Sequence, residues 1–204
     1  MVAILDYGVG NLFSLQCSFA AVGEKAVVTR DEKAVRSADR VVLPGVGAFS
    51  DAMEKLRESG MAEGLLRVAA AGKPVLGICL GMQMLFERSW EYGTWEGLGL
   101  IPGEIRPISE RIPAGYKIPQ IGWNALILRK PSVLFRDVKE GDHVYFVHSY
   151  SAVGCGGYVT AETEYGGLLT AAAERGNVFG CQFHPEKSGE VGLRILAAFC
   201  RAEV

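Results

Sequence analysis

Histidine is scarce in this chain of 204 residues: only His143, His148 and His184 occur. The five cysteines are odd in number and include no Cys-x-x-Cys pair, which argues against a disulfide framework and against a zinc site. No stretch reaches the ~20 apolar residues of a membrane span. The N-terminal apolar run meets Asp6 with no basic lead and no cleavage-type site, unlike a signal peptide. Excess positive charge is missing as well, and a formal net charge of −2 leaves no electrostatic footprint for nucleic acid. Linkers, repeats and low-complexity tracts are absent too. The expectation is a single domain over residues 1–204 in the reducing cytoplasm, with no metal, no cofactor, and neither nucleic acid nor membrane among its partners.

What is there reads as an ordinary globular α/β chain, 49% hydrophobic and 22% charged. The first half alternates short apolar runs with helical patterns. Residues 2–5, 26–29, 40–43 and 73–78 read as strands, and helices are expected after Asn11 as N-cap, carrying Leu12, Leu15, Phe19 and Val22, and over 49–58 and 61–71. Gly23 ends the first of these. Such alternation argues for a mainly parallel sheet covered on both faces, with ligands bound beyond the carboxyl ends of its strands. From about residue 100 to 183 the pattern is mostly strand, at 121–128, 143–147, 158–162, 168–174 and 178–183, with glycine-rich turns that favour hairpins. The run from Val178 is expected to rejoin the main sheet, and a helix over 190–202 closes the chain.

Gly77-Ile78-Cys79-Leu80-Gly81 sets a cysteine between two glycines, where an apolar run gives way to a helical pattern over 80–88. That is the layout of a nucleophile elbow, with Cys79 in the seat of the usual serine. Small flanks suit the tight turn, and the free N–H groups of a helix N-terminus favour thiolate over thiol. Cys17, Cys155, Cys181 and Cys200 have no such context and are expected to be inert packing.

A cysteine nucleophile needs a histidine in reach, and the histidine a group that orients it. His184 ends an apolar run and is followed by Pro185, which stops strand pairing, and by Glu186, two residues on, placed to hold the imidazole. His143 is expected to face solvent; His148 either lines a pocket or packs. Of two glycine loops, Gly8-Val9-Gly10 fails as a dinucleotide fingerprint because Phe13 stands where a small residue is needed. Gly45-Val46-Gly47 lacks the Gly-Lys-Ser/Thr of a phosphate loop and is either an oxyanion loop or a strand-end turn.

Gly77-Ile78-Cys79-Leu80-Gly81-Met82-Gln83 together with Gln182-Phe183-His184-Pro185-Glu186 resembles the class I, or triad, glutamine amidotransferases over essentially the whole chain. The resemblance implies a three-layer α/β fold with a central mostly parallel sheet and additional antiparallel strands. It also implies Cys79 as nucleophile on the glutamine amide, His184 as acid–base and Glu186 as its orienter. The segments 6–12, 44–49, 122–124, 145–150 and 184–188 are similar to one branch of that family, the glutaminase subunits of imidazole glycerol phosphate synthases. That likeness implies a (β/α)8-barrel cyclase subunit as partner in a heterodimer, ammonia as the transferred product, and low activity until the partner carries its substrate. It further implies an oxyanion hole from Val46, Gly47 and the N–H of Leu80; glutamine binding by Gln83, Glu91, His148, Ser149 and Tyr150, with Glu96 as the alternative to Glu91; and a partner-facing set of Tyr7, Asn11, Trp123, Tyr145 and Lys187. Two alternatives stay open: a glutaminase for another acceptor synthase, and a binding or regulatory module that kept the fold without catalysis.

Overall fold

A computed structural model describes residues 1–202. In chain order it comprises β1 (Val2–Leu5), α1 (Leu12–Ala21), β2 (Ala26–Thr29), α2 (Glu32–Ser37), β3 (Arg40–Leu43), α3 (Phe49–Glu58), α4 (Met61–Ala70), β4 (Val75–Ile78), α5 (Leu80–Met84), β5 (Phe86–Ser89), β6 (Trp95–Glu96) and β7 (Ile101–Pro107). There follow β8 (Gln120–Ala125), β9 (Ile127–Leu128), β10 (His143–His148), β11 (Tyr150–Val153), β12 (Val159–Glu164), β13 (Leu168–Arg175), β14 (Val178–Cys181) and α6 (Gly189–Cys200).

The main sheet runs β2-β1-β3-β4-β14-β13-β12-β9. Its first five strands are mutually parallel and the rest antiparallel. Side chains alternate across it, as the period of a strand requires. Ala3, Leu5, Val41, Leu43 and Val75 join the core with α3 and α4, while Val2, Ile4, Val42 and Leu76 join the core with α1 and α6. Both faces are therefore covered, which is why these strands are continuous apolar runs. As expected, the strand of Val178 returns to the main sheet, where β14 lies parallel to β4 with Cys181 opposite Ile78. A two-stranded ribbon of β8 and β10 and a four-stranded sheet β11-β7-β5-β6 sit beside it.

Several expectations are corrected. The helix expected over 80–88 stops at Met84, and Phe86–Ser89 is a strand. The cause is long-range: the carbonyls of Met84, Leu85, Phe86 and Glu87 accept hydrogen bonds from Leu98, Leu100, Gly99 and Gly97 rather than from the next helical turn. The strand expected over 121–128 breaks at Leu126, which exchanges hydrogen bonds with Gly141 and Asp142, so its two halves enter different sheets. The run 178–183 leaves strand conformation after Cys181. Asn11 occupies the N-cap position of α1, but its side chain makes no capping bond. Cys155, Cys181 and Cys200 are buried, as inert packing requires, whereas Cys17 is exposed on α1. Helix α2 went unanticipated although Asp31 caps it, accepting from the Lys33 N–H at 2.9 Å.

Candidate active site

Parallel pairing of β4 and β14 brings the elbow and the His-Pro-Glu segment to the same sheet end. Cys79 directly follows β4 and takes φ +55°, ψ −113°, a backbone that side chains rarely adopt. Its N–H is anchored at 2.8 Å on the Cys181 carbonyl, the last residue of β14. The elbow is tight enough that only hydrogen fits at the flanks. A Cβ on Gly81 would lie 1.9 Å from the Leu43 carbonyl oxygen, one on Gly77 2.7 Å from the Gly81 oxygen, and one on Gly45 2.6 Å from the Gly81 nitrogen. The loop after β3 thus lies directly against the elbow. Leu80 opens α5, so its N–H has no intrahelical acceptor and is free for a ligand.

His184 leaves β14 in extended conformation and is 2% exposed. Its Nδ1–H donates to Glu186 Oε1 at 2.8 Å, which fixes the tautomer and leaves Nε2 buried and without a hydrogen-bond partner among the described residues. Burial opposes charge on this ring, but contact with the Cys79 sulfur and the Glu186 carboxylate outweighs it and raises the imidazole pKa to about 9. Both contacts favour the protonated ring beside the sulfur. Ser188 Oγ donates to the His184 carbonyl at 2.6 Å and accepts from the Tyr145 N–H, while the His184 N–H donates to the Tyr145 carbonyl. The loop that carries His184 is thus laced to β10.

A cavity of about 390 Å³ opens over these groups. Cys79 and His184 line it, as do the three residues expected at the oxyanion hole, Val46, Gly47 and Leu80. All five expected glutamine contacts line it too: Gln83, Glu91, His148, Ser149 and Tyr150. Glu91 Oε2 accepts from the Phe49 N–H at 2.6 Å, at the start of α3; burial raises its carboxyl pKa and that N–H works against the rise. Glu96 lies on β6 opposite Arg88 and does not line the cavity, so the geometry favours Glu91. Tyr92, Pro119 and Val147 also line it without having been singled out.

His148 is buried, and desolvation lowers its pKa to about 4, with the nearby His184 adding to the fall and the hydrogen bond to Tyr150 resisting it. Its Nδ1–H donates to the Tyr150 carbonyl at 2.8 Å and its Nε2 meets the Gln120 amide at 2.9 Å. Gln120 continues to Asn124, and Asn124 to the Glu164 carbonyl. This chain of contacts ends on an acceptor at both ends. Its four links need four hydrogens, and a neutral imidazole leaves it one short.

The five residues expected to face a partner divide. Trp123 is 53% exposed, packs edge-on against its cross-strand neighbour Tyr145 with centroids 6.0 Å apart, and Lys187 Nζ stands 5.8 Å from the centre of the Tyr145 ring. Asn11 is half-buried at the start of α1. Tyr7 departs from the expectation: it is 5% exposed, and its hydroxyl donates to the Pro44 carbonyl at 2.6 Å, beneath the loop that precedes α3. Its position after an apolar strand, where a hydroxyl can reach a neighbouring strand end, was the missed signal.

The family model of the class-I glutamine amidotransferases matches residues 3–202. An imidazole glycerol phosphate synthase subunit HisH from Wolinella succinogenes is 50% identical over 202 residues, covering 98% of both chains. The subunit of the same name from Caldanaerobacter subterraneus is 48% identical over 200 residues, covering 98% of this chain and 97% of the relative. Among solved structures, a glutamine amidotransferase superimposes with a TM-score of 0.76 at 18% identity over 98% of this chain and 99% of that one. PurLQS from Thermotoga maritima does so with a TM-score of 0.75 at 19% identity over 98% and 97%. At those identities the structural likeness speaks for the fold.

Proposed function

This chain belongs to the class-I glutamine amidotransferase family, and from that premise we propose both its reaction and its place. It is the glutaminase subunit of an imidazole glycerol phosphate synthase, a single domain that hydrolyses glutamine to glutamate and passes the ammonia to a cyclase subunit in the biosynthesis of histidine. The observation that carries the reading is the convergence, in one cavity, of a strained elbow cysteine with a buried histidine whose far nitrogen is held by a carboxylate at 2.8 Å.

The chemistry follows from the parts. The Cys79 thiolate attacks the amide carbon, and the resulting oxyanion is received by the Leu80 N–H and the backbone at Val46 and Gly47. Losing one such donor typically costs about 10²–10³ in rate. His184 gives its Nε2 proton to the departing amide nitrogen, so ammonia leaves and a glutamyl thioester remains. His184 then takes a proton from water as the water attacks the thioester, releasing glutamate and restoring thiolate and imidazolium. Glu186 holds the ring throughout. Glu91, Gln83 and the segment from His148 to Tyr150 bind the amino-acid end of glutamine.

The partner is a (β/α)8-barrel cyclase bound as a heterodimer in the cytoplasm, against the face that carries Trp123, Tyr145 and Lys187. An exposed tryptophan packed on a half-buried tyrosine, with an adjoining cation, suits such a contact. Keeping ammonia from being lost to water requires the cavity to open toward that partner. In the assembled synthase, Cys79→Ala is expected to abolish glutamine-dependent product formation while formation from ammonium salts survives. Equal loss of both activities would overturn the reading.

A further inference from the structure

Gln182, fully buried, stands between the end of β14 and His184. Its amide belongs to a short relay whose polarity is dictated at one end. Gln83 Nε2 reaches both the Tyr150 carbonyl at 3.2 Å and Gln182 Oε1 at 2.9 Å. A carbonyl only accepts, so Gln83 must turn its NH2 group that way, and its second hydrogen goes to Gln182. Gln182 therefore offers its oxygen to Gln83 and its NH2 to the far side. That side is the catalytic sulfur: Gln182 Nε2 lies 3.8 Å from Cys79 Sγ.

We propose that Gln182 is a catalytic residue of this site, a neutral hydrogen-bond donor that stabilises the Cys79 thiolate alongside His184. The inference rests on the glutaminase reading above. The donor serves twice in the cycle: it favours the thiolate before attack, and it receives the sulfur's charge again when the thioester breaks and Cys79 leaves as thiolate. His184 must trade its proton during each half-reaction, whereas an amide does not titrate and holds its hydrogen throughout. A buried amide is costly unless it is bonded, and the relay from Tyr150 through Gln83 meets that need while fixing the direction in which Gln182 donates.

The test is the pH profile of Cys79 alkylation by iodoacetamide, read on the Cys79 peptide by mass spectrometry in the full chain. The titratable groups around the sulfur are His184 and Glu186 beyond β14, Cys181 on β14, Tyr7 after β1 and His148 on β10, with Glu91 and Lys187 on the cavity wall. All are common to the unaltered chain and Gln182→Met, so a difference between those two isolates the amide. In Gln182→Met the midpoint is expected to move up by about one pH unit, the size of one lost hydrogen bond to a charged group, with the limiting rate at high pH unchanged. Gln182→Glu keeps an acceptor for Gln83 but puts an oxygen against the sulfur, and its midpoint is expected higher still. Midpoints equal to that of the unaltered chain in both variants would overturn the inference alone. Failure of Cys79 to alkylate at any pH in the unaltered chain would overturn the glutaminase reading and this inference with it.

Discussion

The Tyr7 hydroxyl donates to the Pro44 carbonyl across 2.6 Å and lies 3.7 Å from the Met84 sulfur. One phenol thereby ties the end of β1 to Pro44, which leads into the Gly45-Val46-Gly47 loop, and to α5, the helix that follows Cys79. Burial pushes its ionisation well above the ordinary tyrosine range, with the neighbouring Cys79 adding to the shift, so the group stays a neutral donor. Its position under the loop connects the packing of the sheet end to the cavity wall at Val46 and Gly47.

Tyr7→Phe keeps the ring and removes that one bond, at about 1 kcal/mol. Glutamine turnover in the assembled synthase is expected to fall several-fold while affinity for the cyclase is unchanged. Steady-state kinetics and a binding titration on the same preparation check this. A loss of affinity with turnover intact would return Tyr7 to the partner surface.

Two glycines separate steric from conformational demand. Gly81→Ala drives a Cβ to within 1.9 Å of the Leu43 carbonyl oxygen, where backbone meets backbone, and is expected to destabilise the fold by about 3 kcal/mol or more. Gly47 has φ +93° and open space around an added Cβ. Gly47→Ala therefore meets no clash, only about 1–2 kcal/mol of backbone strain, and should fold yet turn over glutamine more slowly. Urea unfolding midpoints set against glutaminase rates distinguish the two.

The raised pKa of His184 makes stability depend on pH in a defined direction. Its folded-state value near 9 exceeds the ordinary 6.5, so the folded chain holds a proton that the unfolded chain releases. The contribution is complete below about pH 6.5 and is lost as pH rises toward 9. Denaturant midpoints are expected to decline across that window in the unaltered chain and to decline less in His184→Asn. Glu186→Gln removes one of the groups that hold the proton, so its decline should be smaller and should end at lower pH. Parallel curves for all three proteins would contradict the assignment.

Much of this site was legible in the chain because its signals are local. An apolar run into a Gly-flanked cysteine, and a histidine stopped by Pro185 with Glu186 two residues on, each need only a few adjacent residues to be read. The same holds for the inner strands of the parallel half, β1, β3 and β4, which are covered on both faces. Helix 80–88 was misjudged because its pattern is a helical one and the hydrogen bonds that end it come from residues 97–100. Glu91 and Glu96 are indistinguishable by composition. Only the folded chain sets one against the Phe49 N–H in the cavity and the other beside Arg88 on β6.

The amino-acid sequence by itself determined the family and the class of reaction and singled out Cys79, His184 and Glu186, since these depend on which side chains follow one another along short stretches. Tertiary structure decided what depends on partners far away in the chain: that β14 lies parallel to β4 and so brings Cys79 to His184, that Tyr7 is buried against the Pro44 carbonyl rather than exposed, and that Gln182 turns its NH2 toward the sulfur. Each of those is set by a hydrogen bond or a strand pairing between distant segments, and no local pattern of residue types encodes which distant group will be there to accept it.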